Sequence, residues 1–467
     1  MILQFSFMEI LVSFSLLILI FMKLVNRIQS KHSALNLPPG PRKIPFIGNM
    51  HLLVGPLPHH ALRGLAMKYG PLMHLQLGEV STVIISSPDV AEEVMKTQDT
   101  TFASRPEILA AKVMSCDCPG IIFSPYGDYW RQLRKICTTE LLSSKCVQSF
   151  RSLREEEFLD LCRWIASKAG SPINLTEKVY LSAYSLTAKA AFGKKTKDQE
   201  TFISTQQADR ILETIINEHI VGNSGKTDVK EKHDLVDVLL KCQEDENIPP
   251  LTSAQIKSVL LDIFGAGSET SATTVDWAMS EMLRNPSALK KAQDEVRNVF
   301  RGKNVVDEAR LNELKFLKSV IKETLRLHPP APLLLPRESN ESCKIDGYDI
   351  PIKTRVIVNA WAIGRDAKYW EQPECFQPER FLDSSVDYKG NNFQYIPFGA
   401  GRRICPGISF GIANVELPLA MFLYHFDWSL PQGMKHEEMD MTEAFGVTVR
   451  RKDDLFVTPV LRRPFPV

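Results

Sequence analysis

The chain has 467 residues, 44% of them hydrophobic, and its 56 basic and 55 acidic side chains leave a net charge of +1. So even a balance provides no global field for a polyanion, and no nucleic-acid partner is expected. Nine cysteines spread over this length, without a C-x-x-C pair, exclude a disulfide scaffold and place the main body in a reducing compartment. Cys116 and Cys118 form a lone C-x-C, read as structural or incidental. No Gly/Ser run, low-complexity tract or repeat divides the chain, so one large domain behind a short N-terminal segment is expected.

From Phe5 to Met22 every residue except Glu9 is apolar or Ser, and Lys23, Arg27 and Lys31 follow. A spanning helix needs roughly 20 apolar residues. The charges follow the apolar run and no small-residue cleavage site appears, which is the reverse of a signal peptide. Residues 1–31 are therefore expected to be a membrane anchor with its N-terminus in the lumen, and residues 32–467 the cytosolic domain. Leu37-Pro38-Pro39-Gly40-Pro41 resists helix and suits a stiff, extended spacer.

Leu72–Leu77 and Thr82–Ser86 read as two strands joined through Gly78. Long helical patterns then dominate. Trp130 and Arg134 sit i, i+4 apart on one helix face, so an indole donor and a guanidinium can grip one anion together. Arg151–Ser167 is a further helix. Thr252–Asn285 is the longest, opened by a T-x-x-Q capping box and closed by Pro286. Midway it carries Gly265-Ala266-Gly267-Ser268-Glu269-Thr270. Each glycine there costs about 1 kcal/mol, so a close approach or a local opening is expected. Glu269 and Thr270 put a carboxyl and a hydroxyl side by side, as an acid relay requires.

Leu311–His328 is expected as one helix, closed by Pro329-Pro330 and carrying Glu323 and Arg326 three residues apart. Arg337 follows. Ile345–Ile350, with Asp346-Gly347 as a turn, and Arg355–Ala360 read as strands. Arg380 lies in Pro378-Glu379-Arg380-Phe381. The most specific run is Phe398-Gly399-Ala400-Gly401-Arg402-Arg403-Ile404-Cys405-Pro406-Gly407, a tight loop ahead of a helical stretch, Ile408–Phe422. A cysteine there meets free N–H groups, the positive end of a helix dipole and two arginines, which favour thiolate and a soft-metal ligand. The whole is expected to be mainly α with a small β part (α+β).

The Cys405 run resembles the haem-binding signature of the cytochromes P-450, F-x-x-G-x-R-x-C-x-G, at every fixed position. The other motifs follow in that family's order. Phe102–Pro106, His328–Pro332 and Phe445–Val447 make the chain look most like plant A-type microsomal members. The resemblance implies the cytochrome P-450 fold behind an N-terminal anchor helix in the endoplasmic reticulum membrane. It implies haem b, with Cys405 as axial iron ligand, Phe398 in the haem-binding loop, and Arg403, Trp130, Arg134 and Arg337 on the propionates. Glu269 and Thr270 would deliver protons to O2, and Glu323, Arg326 and Arg380 would form a buried structural cluster. The implied reaction is RH + O2 + two electrons + two protons giving ROH and water. No dinucleotide fingerprint follows any strand, so electrons would come from a separate NADPH-cytochrome P-450 reductase. Ile108–Ile122, Leu260–Thr270, Ala331–Leu335 and Ala444–Val447 are mostly apolar and would wall a pocket for a lipophilic small molecule, with a terpenoid as the leaning.

One departure stands out. After Ala191–Lys195 the family pattern continues through helices that cover the substrate channel. Here Phe202–Thr205 runs almost directly into Ala208–His219, so a lid segment is expected to be deleted near 205–208. Two rival functions follow. A haem-thiolate isomerase or dehydratase would need no oxygen activation, against which the Glu269–Thr270 pair argues. An inactive haem-binding form would result if the lid is indispensable.

Overall fold

A computed structural model describes residues 11–22, 35–55, 57–109, 112, 118–193, 205–223, 234–244, 250–431, 433–446 and 448–464. Residues 11–22 form an exposed helix, and the rest of the expected anchor lies outside the described residues. Among them no helix is long and apolar enough to cross a membrane. The prolines after it are not a free spacer. His74 N–H donates to Pro39 O at 2.8 Å, and a Cβ on Gly40 would stand 2.0 Å from His74 O. Glycine at that position therefore lets the extended segment lie against the first strand.

Helix α1 (Pro58–Tyr69) leads into β1 (Leu72–Leu77) and β2 (Val80–Ile85). Gly78 takes φ +60 in their turn. They are paired antiparallel from Leu72↔Ile85 to Leu77↔Val80. The sheet is completed by β3 (Arg337–Glu338) and β4 (Arg355–Val358), in the order β1-β2-β4-β3, with β4 parallel to β2. The helical body is α2 (Asp128–Ile136), α3 (Arg151–Ser167), α4 (Leu175–Phe192), α5 (Ser253–Arg284), α6 (Pro286–Val299), α7 (Lys315–Leu327) and α8 (Ile408–His425). Mainly α with a small β part is thus the observed class.

Helix α5 forms where its local signals place it. Thr252 and Gln255 close a reciprocal capping box, which satisfies two otherwise orphaned N–H groups. At about 1.5 Å per residue its 32 residues cross the whole domain. It packs along α4 and against α7 and α8, and the largest core cluster gathers around these helices.

Two local expectations are corrected. Leu311–His328 is not one helix: Glu308–Glu313 is a 3-10 turn capped by Asp307, and α7 starts only at Lys315. Leu314 between them, at φ −84 ψ 74, is buried in the core, so its burial outweighs helical continuity. Arg355–Ala360 is strand only to Val358, because Asn359 caps a short helical turn, its side chain accepting from Ala362 N–H at 3.0 Å. Around Asp346-Gly347 the chain makes a hairpin, Cys343–Ile345 against Tyr348–Ile350, with φ +47 and +79 in the turn.

Candidate active site

The Cys405 loop is built by backbone geometry. Gly399 and Gly401 take φ +70 and +68, and a Cβ on Gly401 would stand 2.0 Å from Met95 O. No other residue fits Gly401 without displacing backbone. Cys405 N–H donates to Phe398 O at 3.0 Å, closing the loop. The Phe398 ring packs edge-on to Tyr388 at 5.3 Å. Cys405 lies three residues before α8 and is a half-buried free thiol. Burial pushes this thiol up, while the Gly407 N–H and Arg134 pull it down. Helix dipole and arginines were expected to favour thiolate. Desolvation is instead the largest effect, so a coordinating cation is what would deprotonate it.

Above the loop stands a cluster of guanidiniums. In α2, Trp130 is buried with Arg134 one turn on. Arg403 stacks 4.1 Å over the Trp130 ring. Arg134 donates to Ile404 O at 2.6 Å, Arg403 to Ala103 O and Ser124 O at 2.6 Å each, and Arg337 to Ala400 O at 2.8 Å. Trp130 Nε1 donates to Ile121 O at 3.1 Å. Arg105, which sequence reasoning noted only as part of a family run, joins them through Leu335 O and Pro336 O at 2.7 Å each. Asp99, at 3.2 Å from Arg337, is the carboxylate that answers them. Burial and the neighbouring Arg337 and Arg134 hold Arg403 down at about 9. Burial, then Arg337 and Arg403, likewise hold Arg105 well below its ordinary range. A partly desolvated excess of positive charge beside a sulfur ligand fits a metal chelate carrying two carboxylates, which is the chemistry of haem.

Facing it is the middle of α5. Gly267 is a close approach, since a Cβ there would meet the Phe410 ring of α8 at 3.3 Å, whereas at Gly265 a Cβ would meet nothing within 4 Å. Gly265 and Ala266 are exposed although their helix crosses the core. They therefore border an open groove. The two relay residues do not bond to each other. Thr270 Oγ1 donates to Ala266 O at 2.6 Å, and Glu269 Oε1 accepts from the Thr448 hydroxyl. Thr448 lies one residue beyond the expected pocket wall Ala444–Val447. No local pattern marks it, since its partner is 179 residues away. Asp262, one turn before Gly265, accepts from Ile122 N–H at 3.0 Å and ties the segment under Trp130 to α5; burial raises it to about 7.

Glu323, Arg326 and Arg380 lie in one cluster. Glu323 and Arg326 are fully buried, with Nε–Oε2 and Nη2–Oε1 both at 2.8 Å, and Arg380 Nε is 3.0 Å from Glu323 Oε1. Arg326 also donates to Gly364 O and Pro373 O at 2.7 and 2.6 Å. This links α7 to the meander before the Cys405 loop. Parts of the wall Ile108–Ile122 lie outside the described residues, and the expected lid junction near 205–208 falls in the first turn of the helix Thr205–Asn223. An open surface cleft of about 460 Å³ lined by Arg297, Asp427 and Arg463 lies at the C-terminal end of α8, opposite Cys405, and belongs to no part of this site.

The family model described as Cytochrome P450 matches residues 38–223 and 205–456. Salviol synthase of Salvia pomifera is 52% identical over 487 positions, covering 96% of this chain and 97% of its own. Premnaspirodiene oxygenase of Hyoscyamus muticus is 49% identical, covering 98% and 99%. Tabersonine 16-hydroxylase 1 of Catharanthus roseus is 53% identical, covering 91% of each. A zebra fish cytochrome P450 solved with abiraterone superposes at TM-score 0.78 with 25% identity, covering 87% of this chain and all of that one. The alignment with the Salvia enzyme is longer than the 467 residues present here, so some of its positions have no counterpart in this chain. The fold, the cysteine loop and these likenesses agree: the chain belongs to the cytochrome P450 family and is a P450 monooxygenase.

Proposed function

We propose that this chain holds haem b on Cys405 and hydroxylates a lipophilic small molecule, a terpenoid, with electrons from NADPH delivered by a separate reductase. The observation that carries the reading is the Cys405 loop lying between a buried arginine cluster and the open groove of α5. When bound, haem supplies the activation of O2. The chain's own groups do the rest. Cys405 Sγ would hold the haem iron, with Phe398 bracing its loop. Trp130, Arg134, Arg337 and Arg403, whose donors rest on backbone carbonyls here, would hold the propionates. Thr270 Oγ1 and the Glu269 carboxyl hold and pass protons in the groove. Glu323, Arg326 and Arg380 keep the meander rigid. The apolar walls orient the substrate and exclude water. Relatives named for oxygenating premnaspirodiene and tabersonine support a lipophilic substrate.

Residues 1–31 are proposed as a single-pass anchor in the endoplasmic reticulum membrane and residues 32–467 as the cytosolic catalytic domain. A lid segment is proposed to be deleted near 205–208. The surplus aligned positions of the Salvia relative and a family match in two pieces that meet at 205–223 support this. They also favour a second reading, a haem-binding form with weak turnover. The deciding experiment is the spectrum of the reduced, carbon-monoxide-bound protein. A strongly red-shifted Soret band is expected in the wild type and its loss in Cys405→Ser; a variant that keeps the band refutes the ligand. Turnover by the chain with and without a restored lid then separates the two readings.

A further inference from the structure

A second cluster joins three segments far apart in the chain. His59 and His60 lie in the first turn of α1, His328 ends α7, and Glu443 lies in the short strand Glu443–Ala444. His59 Nε2 and His60 Nε2 each stand 2.8 Å from Glu443 Oε2, and the three atoms lie within 4.8 Å of one another. His59, Glu443 and His328 are each less than a tenth exposed, while the His60 side chain keeps 44% of its surface. The cluster is therefore enclosed on one side and open to solvent through His60.

Hydrogen bonds between the two imidazoles and Glu443 hold part of this arrangement, and His328 adds a third ring beside the same carboxylate. His328 Nε2 stands 2.7 Å from Glu281 Oε1, and the ring stacks on Trp277 at 3.9 Å. Its Nδ1 is buried without a hydrogen-bond partner and faces Glu443 Oε1 at 3.9 Å. Both ring nitrogens of His328 therefore face carboxylate oxygens.

We propose that His59, His60 and Glu443 form a binding site for a divalent transition metal of the zinc class. Two imidazole nitrogens and one carboxylate oxygen are the donor set of an open three-ligand zinc site, with a water in the fourth position. Metal–ligand bonds of about 2.0–2.2 Å place tetrahedral ligands about 3.3 Å apart. The two 2.8 Å separations therefore need to open by only a few tenths of an ångström. Arg365, which acts on His59, opposes a dication, and its ion pair with Glu374 at 3.1 Å offsets that opposition. A metal here would pin α1 to the strand that leads into Phe445–Thr448, and so to the residue that holds Glu269. The proposal does not depend on the monooxygenase reading.

The test uses tag-free, full-length, haem-loaded protein equilibrated with zinc alone. Retained metal is measured by elemental analysis and by competition with a chromophoric chelator. The wild type is expected to keep one zinc per chain more than His60→Ala, with binding at least about ten-fold weaker in His60→Ala and in Glu443→Gln. Zinc-edge absorption should show imidazole scattering that is reduced in His60→Ala. The carbon-monoxide spectrum reports folding; if Glu443→Gln fails to fold, His60→Ala, whose ring is half-exposed, decides alone. His219→Ala, which alters the separate His219–Asp234–Asp237 group, is expected to leave the extra zinc in place. Equal zinc retention by wild type and His60→Ala, or loss of the same zinc in His219→Ala, overturns the proposal.

Discussion

Replacing Glu323 by Gln removes one negative charge from a place where water cannot compensate for it. The carboxylate accepts from Arg326 Nε and Nη2 at 2.8 Å each, from Arg380 Nε at 3.0 Å and from Gln377 N–H at 2.8 Å. Its side chain and that of Arg326 have no exposed surface. The amide keeps one acceptor but presents its NH2 to guanidinium donors, leaving two cations poorly answered. Breaking a buried ion pair in this way costs about 3–5 kcal/mol, a large share of the roughly 5–15 kcal/mol that holds a typical domain together. Arg380→Ala is expected to cost less, about 1–3 kcal/mol. Arg380 retains 12% exposure, and Arg326 keeps its bonds to Gly364 O and Pro373 O. Urea midpoints followed by tryptophan fluorescence, with haem content read from the Soret band, measure both variants. Midpoints for Glu323→Gln within about 1 kcal/mol of wild type would refute the reasoning, as would a larger loss in Arg380→Ala.

Thr270→Ala should consume NADPH while forming less product and more peroxide, because the hydroxyl in the groove no longer passes a proton on time; unchanged coupling would count against the relay. Gly401→Ala should destabilise the protein by more than about 2 kcal/mol and empty it of haem, since φ +68 disfavours any side chain and its Cβ would stand 2.0 Å from Met95 O. Normal haem retention in that variant would show that the loop can yield. Asp276 is raised by burial to about 6 from 3.8, against the Thr176 hydroxyl and Arg451. The native state thus binds more protons than the unfolded chain between those values, and this contribution to stability declines as pH rises through about 6. Asp276→Asn should gain on wild type as pH goes from about 4 to about 7; urea midpoints showing a constant difference would exclude the effect.

What the sequence alone determined is what short-range chemistry determines. The capping box at Thr252, the three-residue spacing of Glu323 and Arg326, the four-residue spacing of Trp130 and Arg134, and the glycine-framed Cys405 loop are local. Neighbours in the chain dictate their shapes, and each was legible with its bounds nearly right. The tertiary structure decided whatever depends on partners distant in the chain. Leu314 breaks a periodic helix because the core takes its side chain, and the proline run docks on β1 because Gly40 lets backbone meet backbone. Arg105 joins the arginine cluster through carbonyls some 230 residues away. Glu269 turns from its sequence neighbour Thr270 to Thr448, 179 residues on. His59 and Glu443 meet across 384 residues. No periodicity encodes such meetings. Each arises because desolvated polar groups must find partners within the packed body, and packing, not sequence distance, determines which partners are near.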